Sequence, residues 1–291
     1  MIPIYIPVFN NPTHTRNMVK QLRKLECENI VIIDNASSFP PMIEMLAEME
    51  EQLKIIRLPE NRGPHLIIRD LDYYSELPNF FCLTDPDIEF SNEIPRNFLN
   101  ILKDISIEHS VGKVGLALKI PEEEELSEKY INLDGKRWRV VDWEQQFWKE
   151  GIGRTEAGDE IYSTTIDTTF ALYNKKYFDT NNRYKGLRVA GRFTSKHLGS
   201  YKKSIVPQAE LDFYRENTRY SYFIGNVDKD VNPIFEMNIH EYTKMVEEID
   251  SLRNNNRVLG QKNLELDKKI QDFYNSKSWK LISFFRKLLR K

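Results

Sequence analysis

Two aspartates one residue apart, Asp85 and Asp87, follow the apolar run Phe80-Phe81-Cys82-Leu83 and are the residues of this chain best placed to do chemistry. In extended backbone, residues two apart point to the same side, so the pair can share one hard divalent cation with the oxygens of a bound diphosphate. The competing interpretation is an Asp-Pro turn that only closes a strand. Which of the two holds depends on the elements around the pair.

The first 120 residues alternate β-rich runs with helical patterns. Strands are expected over 2–8, 30–33, 54–58, 80–83 and 113–119, and helices over 13–25, 41–51, 65–74 and 95–104. That order predicts an α/β fold with a mostly parallel sheet covered by helices on both faces. Ligands of such sheets bind beyond the carboxyl ends of the strands. Four of those ends are polar and turn-prone: Asn10-Asn11-Pro12, Asp34-Asn35-Ala36-Ser37, Glu60-Asn61-Arg62-Gly63-Pro64 and Asp85-Pro86-Asp87. They are expected to converge on one crevice. Beyond residue 120 come an acidic stretch, Pro121 to Glu125, then an aromatic block with Trp138, Trp143, Phe147 and Trp148. A hairpin is expected over 161–173 and loop over 183–201. The tryptophans can form a sugar platform or pack in the core.

Composition narrows the class. The 291 residues are 40% hydrophobic with a net charge of −2, enough for one large α/β domain plus an appendage. Two cysteines, Cys27 and Cys82, exclude a disulfide framework and a cysteine metal site and fit a reducing compartment. No basic leader with an apolar core opens the chain and no run approaches 18 apolar residues, so neither secretion nor a membrane span is expected. Walker A, Gly-x-Gly-x-x-Gly, zinc and nucleophile-elbow patterns are missing, and no basic patch interleaved with aromatics suggests nucleic acid.

The last quarter has its own pattern. Tyr242, Ile249, Asn256, Asn263 and Ile270 recur every seven residues, with Met245, Leu252, Leu259, Leu266 and Phe273 three after each. This heptad register predicts a coiled-coil homodimer, or alternatively one amphipathic helix packed on its own domain. Residues 276–291 hold six cations, no acid, and Trp279, Phe284, Phe285 and Leu288, which suits a helix lying on anionic lipid.

Four motifs, in this order, resemble the family 2-like, GT-A fold nucleotide-sugar glycosyltransferases of bacterial surface-polysaccharide type. Ile6-Pro7-Val8-Phe9-Asn10-Asn11 is similar to their Ile-Pro-Val-Tyr-Asn opening and Ile32-Ile33-Asp34-Asn35-Ala36-Ser37 to their Val-Asp-Asn-Gly-Ser strand end. Glu60-Asn61-Arg62-Gly63 is similar to their Asn-x-Gly loop and Thr84-Asp85-Pro86-Asp87 to their Asp-x-Asp motif. Ser195-Lys196-His197-Leu198-Gly199-Ser200-Tyr201 resembles a His-Leu-Pro-Trp-Tyr segment whose histidine returns to the metal, with Gly199 and Ser200 departing from it. Ser276-Lys277-Ser278-Trp279-Lys280-Leu281 resembles the Ser-x-Ser-Trp-Arg-Leu ending of many such enzymes.

The resemblance implies transfer of a hexose, with inversion, from a nucleotide-diphosphate sugar, UDP-linked by preference, to a hydroxyl of a glycan or lipid-linked glycan. Asp85, Asp87 and His197 would hold Mn2+ or Mg2+, the imidazole favouring Mn2+. Asp87 would coordinate directly, and Asp85 would reach a ribose or the metal through water. Pro7, Val8, Asn10, Asp34, Asn61, Arg62, Asp85 and Arg192 would contact the nucleotide, with Arg188 a further diphosphate candidate. For the base, Asp167 is chosen because a lone carboxylate in a β-branched, apolar stretch is costly without a task or partner. Asp142, Glu156 and Asp159 compete with it. Residues 1–120 would bind donor and 121–235 acceptor, 236–275 would form the helical extension and 276–291 the membrane tail. The protein would then be cytoplasmic and peripheral to the inner face of the membrane. A non-catalytic scaffold on the same fold, or a nucleotidyltransferase, is the alternative.

Overall fold

The computed structural model describes residues 1–127, 130–133, 136–167 and 169–218, together with 262, 266, 268 and 269. The chain divides into two compact units, Met1–Asp230 and Val231–Lys291. In the first unit the order is β1 (Ile4–Val8), α1 (Pro12–Lys24), β2 (Ile30–Asp34), α2 (Pro40–Met49), β3 (Lys54–Arg57), α3 (Leu66–Arg69), α4 (Leu71–Glu76), β4 (Phe80–Leu83) and β5 (Ile88–Glu89). Then follow α5 (Phe98–Glu108), β6 (Lys113–Leu116), β7 (Tyr130–Leu133), β8 (Lys136–Arg139), α6 (Val140–Gln145), β9 (Gly151–Arg154), β10 (Glu160–Thr165), β11 (Ala171–Asn174), β12 (Lys185–Val189), β13 (Lys196–His197) and α7 (Gln208–Asn217).

Nine strands make one sheet in the order β3-β2-β1-β4-β11-β6-β12-β10-β9. The first four run parallel, so the ends of β1, β2, β3 and β4 lie along one edge. Both faces are buried, as a sheet crossed by helices requires. Ile4, Ile6, Ile30 and Ile32 pack with Met18 and Leu22 of α1 on one face. On the other, Ile33, Phe81, Leu83 and Tyr173 pack with Leu66 and Ile67 of α3. In α1, Thr15, Met18, Val19 and Leu22 are buried at the 3, 4, 7 spacing of a one-faced helix that starts with Pro12.

Three expectations are corrected. The helix over 65–74 is two short ones, because Asp70 leaves helical backbone and its carboxylate accepts from the N–H groups of Asp72 and Tyr73, capping α4. The hairpin over 161–173 does not form: β12 and β6 lie between β10 and β11, and the intervening residues carry the chain across the sheet. The loop over 183–201 contains β12, which pairs with both β6 and β10. Alternating apolar residues with an embedded Arg188 hid that strand.

Helix α7 was not expected. It packs where strand-end loops emerge, with Phe213 on Phe39 at 4.7 Å between ring centroids and Tyr214 near Phe9 at 6.3 Å. Glu210 accepts from Thr13 at the start of α1, at 2.6 Å from Oγ1 and 3.2 Å from N. A carboxylate at a helix N-terminus is favourable for the exposed N–H groups there. Glu210→Ala is expected to cost about 1–2 kcal/mol, read as a fall in the urea midpoint at unchanged slope.

The heptads and basic tail fall outside the described residues except for 262, 266, 268 and 269, which are helical, with Leu266 54% exposed. No helix among the described residues is long and apolar enough to cross a membrane.

Candidate metal centre and strand-end cleft

Asp85 and Asp87 leave the end of β4, and one ligand atom from each and one from His197 lie within 4.8 Å of one another. The approach of His197 across more than a hundred residues has a specific cause. β13 pairs antiparallel with β5, His197 opposite Ile88 and Lys196 opposite Glu89, and the Leu198 N–H donates to the Asp87 carbonyl at 2.9 Å. Gln21 of α1 braces β5 from the other side, donating to the Ile88 carbonyl at 3.1 Å and accepting from the Phe90 N–H at 2.8 Å. Because side chains alternate along a strand, a one-residue slip in this short ladder would turn His197 away from the carboxylates.

His197 Nε2 lies 3.1 Å from Asp87 Oδ2. Burial works to lower the His197 pKa, but the Asp87 carboxylate outweighs it, helped by Asp85 and Glu144, and raises it to about 9. Burial likewise works to raise Asp87, yet His197, with a smaller effect from His14 on α1, brings it down to about 2. Without a cation the pair is therefore ionised at neutral pH. Its stabilising contribution is complete from about pH 4 to 6.5, between the unfolded values of the two groups. It is lost as pH rises through about 9 or falls through about 2.

The donor set suits a divalent ion: two carboxylates and an imidazole, partly buried and converging on one point. An imidazole must shed its proton to become a ligand, so binding releases one proton. Apparent Mn2+ affinity is expected to rise roughly tenfold per pH unit between pH 6 and 8, checked by calorimetry in buffers of differing ionisation enthalpy.

The first three strand-end loops are tied together. Asn10, buried and at φ 52°, accepts at Oδ1 from the N–H groups of Ser38 at 2.7 Å and Phe39 at 2.9 Å, while its own N–H donates to Ser37 Oγ. Its amide nitrogen is buried with no hydrogen-bond partner among the described residues. Asp34 accepts from the Ser37 N–H, three residues on, at 3.0 Å, and Asn35 accepts from the Arg62 N–H at 3.2 Å. Asn61 accepts from the Gly63 N–H, and the Arg62 guanidinium pairs with Asp70 at 3.1 Å. Pro7 and Val8 are buried in β1, and the Val8 carbonyl accepts from the Asn35 N–H at 2.9 Å.

Farther along the sheet the two arginines are committed to acids. Arg192 forks onto Asp159, 2.7 Å from Nη2 to Oδ2. Arg188, expected in a loop near the diphosphate, is a correction: it is a strand residue, 4% exposed, paired with Glu144 at 2.9 Å and stacked 4.1 Å over the Phe147 ring. Phe147 joins an edge-to-face series with Trp143 and Trp138, at 5.5 and 5.9 Å between ring centroids.

Asp167 is not one of the three clustered residues. It lies two residues past the end of β10, where the chain crosses the sheet face. Oδ1 is buried 3.2 Å from Nε2 of His65, while 47% of the side chain stays open. Below it Lys113 is fully buried and donates to the carbonyls of Ile166 at 2.8 Å, Asp167 at 3.0 Å and Arg183 at 3.4 Å. Burial lowers the Lys113 pKa to about 7, against the charges of Asp167 and Asp85. Burial also works to raise Asp167, but His65, then Lys113 and Arg69, leave it below the usual carboxylate value.

His14, His65, Lys113 and Glu144 were not singled out from the sequence. Only Lys113 left a signal, as one cation inside the apolar stretch Val111 to Leu118.

No family model matches the chain, and no curated protein matches it. Several solved structures are similar at low identity. The mannosyltransferase PcManGT from Pyrobaculum calidifontis, solved with GDP-Man and Mn2+, is 11% identical, with 73% of this chain and 59% of that one covered and a TM-score of 0.42. GalNAc-T7, solved with UDP, GalNAc and Mn2+, is 14% identical over 65% of this chain and 42% of its own, at 0.41. S. aureus TarS 1-349 in complex with UDP is 15% identical over 74% and 62%, at 0.39. This chain thus spans less than two thirds of each of these structures.

Proposed function

We propose that the protein is a metal-dependent glycosyltransferase that moves a hexose from a nucleoside-diphosphate sugar to a hydroxyl of a glycan or lipid-linked glycan. The observation that carries this is the convergence of Asp85, Asp87 and His197 at the end of β4, beside three hydrogen-bonded strand-end loops. Breaking a sugar–diphosphate bond leaves negative charge on the departing nucleotide, and a cation bound at this cluster supplies its neutralisation. UDP is the preferred nucleotide and Mn2+ the preferred ion, since a borderline nitrogen ligand joins two oxygens.

Asp34 and the unpartnered amide nitrogen of Asn10 sit at adjacent strand ends, where they can meet the polar edge of a base or ribose. Arg62 and Asn61 line the third loop, and Arg192 offers the one guanidinium nitrogen not forked onto Asp159. Asp167 is the base, with Oδ1 buried 3.2 Å from His65 and 47% of the side chain open. It takes the acceptor hydroxyl proton as the new O–C1 bond forms, the C1–O bond to phosphate breaks, and the nucleoside diphosphate leaves with inverted configuration at the sugar.

The tail at 276–291 would hold the enzyme at the inner face of the membrane, and the heptads would pair two copies. Incubation with a panel of nucleotide sugars and Mn2+, following nucleoside diphosphate release, tests the activity. Turnover of one donor that ceases on chelation is expected, and no release from any donor would contradict it. Flotation with anionic vesicles tests the tail: deleting 276–291 is expected to abolish binding.

A further inference from the structure

We propose that His65 is a positioning residue for Asp167: its Nε2 fixes one carboxylate oxygen so that the other faces the acceptor. This rests on the function proposed above and deepens it. His65 is 2% exposed and Nε2 lies 3.2 Å from Asp167 Oδ1. Neither atom forms a hydrogen bond of good geometry with any group among the described residues, and each is the polar atom nearest at hand for the other. Two buried polar atoms facing only each other need a proton between them, because an unsatisfied buried donor or acceptor is costly. A small turn of the neutral imidazole, protonated on Nε2, lets it donate to the carboxylate 3.2 Å away and satisfies both atoms. Burial favours the neutral form, and the pKa of His65 is lowered even with Asp167 beside it.

The imidazole is itself held. His65 follows Gly63, at φ 79°, and Pro64, and its carbonyl accepts from the N–H groups of Ile68 and Arg69 at the start of α3. Tyr184 meets the ring edge-on, 6.1 Å between centroids. Lys113 pins the backbone of the same turn through the Ile166 and Asp167 carbonyls, so the base is fixed from both ends, ring above and ammonium below. A carboxylate held this way presents a chosen lone pair without reorganising during proton transfer. The ionisable groups facing the pair are Lys113 from β6, Arg69 from α3, Tyr173 from β11, and Arg183 and Tyr184 from the segment before β12.

The test is nucleoside diphosphate release from the accepted nucleotide sugar at saturating Mn2+, with wild type, His65→Phe, His65→Gln and Asp167→Asn. His65→Phe is expected to lower kcat about tenfold to a hundredfold with donor KM within twofold. Its acid limb should move to higher pH, because the partner that depresses the Asp167 pKa is gone. His65→Gln, which keeps a side-chain N–H, should recover part of the loss. In the intact protein, the His65 imidazole followed by NMR should titrate lower in Asp167→Asn than in wild type.

Unchanged kcat and acid limb in a folded His65→Phe, or an unchanged His65 titration in Asp167→Asn, overturns the inference and leaves the activity standing. A wild type that releases no nucleoside diphosphate from any nucleotide sugar removes both.

Discussion

Asp87→Ala is expected to lower nucleotide-sugar turnover by about a thousandfold, the size seen when a group stabilising charge on a leaving group is removed. Asp87 is the proposed ligand that also contacts His197, at 3.1 Å, so its loss would remove one ligand and release a second. Asp85→Ala leaves that contact in place and should be milder. The measurement is single-donor turnover at saturating Mn2+, with circular dichroism to confirm the fold and a Mn2+ titration to locate the defect in metal binding. A loss under about tenfold with the metal still bound would show that Asp87 and His197 form only a structural ion pair.

Arg188→Leu is expected to destabilise the protein by about 3–5 kcal/mol, because it leaves Glu144 buried without its counter-charge. The side chains are 4% and 10% exposed, and Arg188 also donates from Nε to the Thr165 carbonyl at 3.0 Å and stacks on Phe147. Replacing both residues by apolar ones of similar volume should cost far less, since a buried pair contributes little net stability although breaking it is expensive. Urea unfolding of the single and double variants decides this. Equal losses in both would mean that packing, not the orphaned charge, sets the cost. Glu144 also helps hold the proton on His197, so Glu144→Gln should lower the imidazole pKa and ease metal binding at neutral pH.

The parallel half of the sheet was legible because apolar runs, helical spacing and turn residues agreed there: Phe80–Leu83 closes where Asp85 begins, and Pro12 opens α1. The cluster was legible because Asp85 and Asp87 share a strand end and His197 stands in a recognisable segment. What stayed hidden depends on tertiary pairing. The sequence of β10 and β11 suits a hairpin as well as two separated strands, and only the sheet order tells them apart. Arg188 has the composition of a loop cation until β12 buries it against Glu144, an acid in an otherwise unremarked helix. His65 sits in a turn with no periodicity to mark it, and Asp167 stood out as a lone carboxylate in an apolar stretch without any sign of its partner. The strand-end loops show the reverse limit. Asp34 and Asn10 are where the motifs put them, yet both already serve the local backbone, a use that short motifs cannot distinguish from ligand binding.

In the proposed mechanism, acids from the end of β4 and an imidazole from β13 close on one cation that meets a diphosphate. A crystal structure with nucleoside diphosphate and Mn2+, recorded at a wavelength where manganese scatters anomalously, tests it directly. One anomalous peak is expected about 2 Å from an Asp87 oxygen and a His197 nitrogen, with phosphate oxygens completing the shell. A peak elsewhere, or nucleotide bound with the Asp87–His197 contact intact and no metal, would contradict the account.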